Sequence, residues 1–90
     1  MRSEQRKAKI EFITDAACER CAEAKSRMDL ILLGSGIEAE VTFYDAGSDR
    51  AGELCLDFGI DDVPAIVVNG RLFLGEKFSA EEFLAAARRK

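Results

Sequence analysis

The hydrophobic pattern changes period along the first half of the chain. Lys9-Ile10-Glu11-Phe12-Ile13 alternates and closes on adjacent apolar residues, which predicts a strand over about residues 8 to 14 that enters a buried sheet. From Cys18 to Leu33 the apolar positions Cys21, Ala24, Met28, Ile31 and Leu32 recur at helical spacing, leaving Glu19, Glu23, Ser26, Arg27 and Asp29 on a wet face. Gly34-Ser35-Gly36 is expected to stop this helix, because glycine takes the left-handed conformation that ends helices. Residues 39 to 45 alternate again and are rich in β-formers, with Val41 and Phe43 on one side of a second strand. A strand, a helix and a strand in that order imply a right-handed parallel crossover.

The second half is more sharply punctuated. Ser48 can cap a helix whose stripe is Ala51, Leu54, Cys55 and Phe58 and which Gly59 can end. Asp61-Asp62-Val63-Pro64 leads into Ala65-Ile66-Val67-Val68, a continuous apolar run that reads as a buried strand. Asn69-Gly70 is a strong hairpin signal, since both turn residues need positive φ, and Arg71 to Leu74 returns antiparallel. Ser79-Ala80-Glu81-Glu82 is a capping box, and Phe83, Leu84 and Ala87 give the last helix its apolar face. The predicted order is βαβαββα over a single α/β domain, residues 1 to 90, with residues 1 to 7 a polar and poorly ordered extension.

Charge and composition narrow the functional classes. Thirteen basic and seventeen acidic residues leave a formal charge of −4, which argues against nucleic acid or an anionic membrane as partner, and the Arg88-Arg89-Lys90 tail is too short to reverse it. No apolar run has the length of a membrane span or a secretory signal, so a cytoplasmic location and no membrane partner are expected. Histidine is absent, which removes imidazole from both acid-base chemistry and metal ligation. The three cysteines cannot form a fully paired disulfide scaffold. Cys55 lies within a helical apolar stripe and reads as a core residue.

Cys18-Glu19-Arg20-Cys21, at the junction of the first strand and first helix, carries the chemistry. Residues three apart on a helix are neighbours, so the two sulfurs can meet without distorting the backbone. Cys18 is expected in the first helical turn, where unpaired N–H groups and the helix dipole favour a thiolate. Arg20 beside the pair would favour the charged form, whereas Glu19 and Asp15 would oppose it. Both sulfurs are expected to face solvent.

The element order, with Cys-x-x-Cys after the first strand and Val63-Pro64 before the third, resembles the thioredoxin-like fold at glutaredoxin size. That resemblance covers residues 8 to 88 and implies a central four-stranded mixed sheet flanked by three helices. It further implies a cis bond between Val63 and Pro64, next to the cysteines, where an open backbone edge at Val63 pairs with substrate. Its implied activity is thiol-disulfide exchange with protein disulfides, with Cys18 as nucleophile, Cys21 as resolving thiol, Val63 and Pro64 as docking wall, and an unidentified reductase as partner of a monomer. No cofactor or metal is expected beyond the redox-active disulfide. Leu74-Gly75-Glu76 carries one glycine where glutaredoxins carry a pair that grips glutathione, so glutathione use is not expected. Two alternatives share the same residues: a soft-metal carrier binding copper or zinc through the thiols, and a redox-silent binding module, since fold does not fix function.

Overall fold

A computed structural model of the chain describes residues 7–16 and 18–88. The N-terminal extension up to residue 6, the tail residues Arg89 and Lys90, and Ala17 lie outside the described residues. Seven elements follow in the predicted order: β1 Ala8–Thr14, α1 Glu19–Ser35, β2 Ala39–Asp45, α2 Asp49–Phe58, β3 Ala65–Val68, β4 Arg71–Leu74 and α3 Ala80–Ala87. Among the described residues no helix is long and apolar enough to cross a membrane.

The sheet has the order β2-β1-β3-β4. β1 pairs with β2 in parallel, Ile10 opposite Val41, and with β3 antiparallel, Phe12 opposite Ile66. Alternation along the two central strands supplies two cores. Ala8, Ile10, Phe12, Ile66 and Val68 face one side, where Cys21, Ala24 and Met28 of α1 and Phe83, Ala86 and Ala87 of α3 pack on them. Ile13, Ala65 and Val67 face the other side and receive Ala51 and Leu54 of α2. The α1/α3 side is closed by three aromatic rings, Phe73, Phe78 and Phe83, with centroids 5.3 to 6.1 Å apart. Arg27 fixes α1 to this cluster, donating from Nε to the Phe78 carbonyl at 2.9 Å with its guanidinium over the Phe78 ring.

The ends of the elements follow their local chemistry. Ser48 and Ser79 accept from the N–H groups of Ala51 and Glu82, as helix-capping hydroxyls do. The Glu82 carboxylate, expected to complete a capping box, instead pairs with Arg71 at 3.3 Å. Asn69 and Gly70 have φ values of 49° and 88°, the turn geometry expected of Asn-Gly. Asn69 also binds outward from the turn: Oδ1 accepts from Lys9 N–H at 2.8 Å, and Nδ2 donates to the carbonyls of Ala86 and Ala87 at 2.9 and 3.2 Å. Those carbonyls belong to the last turn of α3, where the helix ladder runs out and acceptors remain open to outside donors.

Two differences from the sequence reading are local. Gly34 stays inside α1, and it is Gly36, at φ 73°, that takes the left-handed conformation and ends the helix. Glu11, in the middle of β1, is buried at 6% exposure, on the face opposite Phe12. Burying a carboxylate is costly unless it is paired. Arg50 of α2 supplies the pair at 2.9 Å and also reaches Glu53 at 3.0 Å. Hydrogen bonds to Glu53 and Glu11, in that order, hold the guanidinium above its ordinary range.

Candidate active site

Cys18 follows the loop that leaves β1. Its N–H donates to the Asp15 carbonyl at 3.0 Å, which turns the chain into α1. Cys18 is the N-cap of α1 rather than a residue of its first turn: its backbone is extended, at φ −98° and ψ 110°, and its Sγ accepts from Cys21 N–H at 3.1 Å. Sulfur here occupies the position where Ser or Asp oxygen ordinarily satisfies a free helix N–H. Cys18 and Cys21 are joined by a disulfide, with Cα atoms 5.3 Å apart.

The two sulfurs differ in access. Cys18 is half-buried, whereas Cys21 is 4% exposed and belongs to the core with Ala24 and Phe12. The expectation that both face solvent is therefore corrected. A helical residue three positions after the N-cap turns inward when it lies on the apolar stripe, and Cys21 begins that stripe. Exchange needs access only at the attacking sulfur, because the resolving one has to reach no farther than its neighbour.

Two open grooves flank Cys18. One, of 410 Å³, is lined by Asp15, Cys18, Glu19, Arg20 and Val63. The other, of 360 Å³, has Phe12, Thr14, Ala22, Lys25 and Phe43 among its walls, together with both cysteines. The Val63-Pro64 bond is cis. Val63 is half-buried and faces the first groove, whereas Pro64 is fully buried, so the expected docking wall presents Val63 alone of the two. Cys55 is half-buried on α2 and lines a separate groove with Asp61, Asp62 and Val63.

Arg20 is placed differently from the expectation. Its guanidinium engages the Asp62 carboxylate at 3.1 Å and the Val63 carbonyl at 2.8 Å, with Glu76 at 4.0 Å. Acting on the cysteine pair was the role predicted for it from its neighbours in sequence. The fold instead brings it opposite an acidic loop, and its charge is shared with two carboxylates. Asp62 also accepts from Val63 N–H at 2.8 Å. The Arg20 hydrogen bond first, and the Val63 N–H second, hold the Asp62 carboxyl below its ordinary 3.8. Pro64 contributes no N–H, and its carbonyl accepts from Gly75 N–H at 3.0 Å. The edge at Val63, expected open, thus carries an internal partner on every main-chain polar group.

Asp62 and Glu76 are the site residues missed by sequence reasoning. The only signal was a doubled acid before Val-Pro facing a cysteine motif with an arginine in it, separated by some forty positions. Asp15 and Glu19 line the rim of the Cys18 groove. Among the described residues no cluster of three or more potential ligands is arranged to hold a metal ion.

No protein-family model matches this sequence, and comparison with curated proteins finds no match. Solved structures do match. A mutant of the thioredoxin-like protein BC3987 superposes with a TM-score of 0.60 at 21% identity, covering 89% of this chain and 99% of its own. Thioredoxin-2, described as a component of malaria parasite protein secretion machinery, gives 0.57 at 16% identity over 88% of this chain and 79% of its own. Thioredoxin 1 from the thermophilic eubacterium Thermosipho africanus gives 0.52 at 16% identity over 87% and 88%. Identities this low speak for architecture, and the architecture agrees throughout: the chain has the thioredoxin-like fold, with a Cys18-Cys21 pair at the head of its first helix.

Proposed function

We propose that this chain is a thiol-disulfide oxidoreductase acting on protein disulfides. In the reductive direction the Cys18 thiolate attacks one sulfur of a substrate disulfide, expelling the other as a thiolate and leaving a mixed disulfide on Cys18. Cys21, losing its proton, then attacks Cys18 Sγ, which releases the second substrate thiol and forms the Cys18-Cys21 bond. Two electrons pass from the protein to the substrate, and an external dithiol returns them.

The observation that carries this reading is the division of roles at the helix N-cap. The half-exposed Cys18 sulfur receives an N–H from the helix start, and the buried Cys21 sulfur is bonded to it. An N–H donor and the positive end of the helix dipole favour negative charge on the attacking sulfur. The presence of α2 directly after β2 supports exchange over metal carriage, since the small carrier domains have a strand in that position.

The test is dithiothreitol-driven precipitation of insulin. Turnover is expected for the wild type and lost in Cys18→Ser, and Cys21→Ser is expected to accumulate mixed disulfides that dithiothreitol releases. Undiminished turnover in Cys18→Ser would exclude the proposed nucleophile. Copper or zinc retained at one equivalent in native mass spectrometry, with no turnover, would instead favour the carrier.

A further inference from the structure

The first groove beside Cys18 is bounded by α1 on one side and by the loop before β3 on the other, and one ion pair spans them. Arg20 leaves the first turn of α1 and lies on the Asp62 carboxylate and the Val63 carbonyl at 3.1 and 2.8 Å. Asp62 in turn takes the Val63 N–H at 2.8 Å. Val63 therefore has its donor and its acceptor satisfied by two side chains that also satisfy each other.

Val63 lines this groove together with Cys18, so a disulfide presented on an extended peptide that pairs strand-like beside Cys18 would do so with the Val63 main chain. Such pairing requires both of its polar groups. A small disulfide needs only the Cys18 sulfur.

Resting on the exchange reading above, we propose that Arg20 and Asp62 are specificity-determining residues: together they hold the Val63 main chain closed, favouring compact disulfides over those borne on extended segments. The contact is built to be exchanged. Both side chains are about half-exposed, at 47% and 62%, and an exposed ion pair contributes little to stability. An extended substrate must displace it, so the penalty falls on that class alone. Glu76, at 4.0 Å from the other guanidinium nitrogen, gives Arg20 a place to swing when the loop is occupied.

The experiment compares two substrates across variants. Wild type, Arg20→Ala and Asp62→Ala are assayed under dithiothreitol with hydroxyethyl disulfide and with the disulfide dimer of an extended Ala/Ser/Val heptapeptide bearing one central cysteine. Taking the ratio of kcat/KM for peptide over small disulfide cancels any change in the reactivity of Cys18 itself. That ratio is expected to rise about three- to tenfold in both variants, the range of one charge-assisted hydrogen bond partly offset by solvent. A structural role alone would leave the ratio where it is. An unchanged or lower ratio would overturn the proposal and show that Arg20 assists docking or takes no part in it. A second measurement is independent of redox turnover: the heptapeptide with serine in place of cysteine is titrated into the 15N-labelled proteins. Tighter binding by the variants, with the Val63 amide shifting, supports the closed edge; equal binding in all three overturns it. If no protein turns over either disulfide, the exchange reading fails while the titration still decides the edge.

Discussion

The Cys21 N–H donates to Cys18 Sγ at 3.1 Å, so the more exposed sulfur of the pair is also the atom that caps α1. After reduction the same N–H is expected to remain aimed at a Cys18 thiolate, with Cys21 kept in the core. Iodoacetamide at neutral pH is expected to alkylate Cys18 well before Cys21. Peptide mass mapping of a brief pulse checks this, and preferential labelling of Cys21 would contradict the assignment of roles.

Asp62 should titrate below the ordinary carboxylate value of 3.8, because Arg20 and the Val63 N–H both favour its charged form. The sign follows: a depressed carboxyl contributes its share of stability above its unfolded value and loses it as pH falls through the folded one. The contact with Arg20 should therefore persist from neutral pH to below the ordinary 3.8 and open only as the pH falls through the lowered folded-state value. Carbon-detected NMR of the Asp62 carboxyl reports the titration, which Arg20→Ala should move back toward the ordinary value. An unmoved titration in that variant would mean that Arg20 is not its partner in solution.

Replacing Arg50 by methionine would leave the Glu11 carboxylate buried in the sheet face with its partner removed. The variant should be less stable than wild type at pH 7, because a buried carboxylate is left without its partner. Urea midpoints measure the loss. The double variant Glu11→Leu with Arg50→Met should recover most of it, since no charge is then left buried.

Asn69 offers a test of turn against cap. Asn69→Gly keeps the positive φ but loses the bonds to Lys9, Ala86 and Ala87, whereas Asn69→Ala loses both. Asn69→Ala should cost more than Asn69→Gly, the latter by about 1 kcal/mol, in chemical denaturation. In the core, Phe83→Ala should cost about 3 to 5 kcal/mol, since this ring is fully buried among Phe73 and Phe78.

Much of the fold was legible because its signals are local. Periods of two and near four marked the strands and helices, Ser48 and Ser79 marked helix starts, and Asn69-Gly70 marked the hairpin. What escaped the sequence depends on which distant groups meet. Gly34 and Gly36 are equally able to end a helix, and only packing decides between them. Glu11 reads as the polar half of an alternating strand until α2 is placed over it. Arg20 has Glu19 and Asp15 as its charged neighbours in the chain, while its partners arrive from the loop before β3 and from the residue after Gly75. Cys21 was legible as part of the apolar stripe, and its burial follows from the same pattern that made α1 a helix.

The Asn69 turn joins β1, the hairpin and α3 at the end of β1 remote from Cys18. One pole of the molecule is thus pinned by side chains bonded to main chain, and the opposite pole bears the Cys18-Cys21 pair and the exposed Arg20-Asp62 contact. Amino-acid changes at the pinned pole should scale turnover of all disulfides alike through the amount of folded protein, whereas changes at the sulfur pole should reorder which disulfides are preferred.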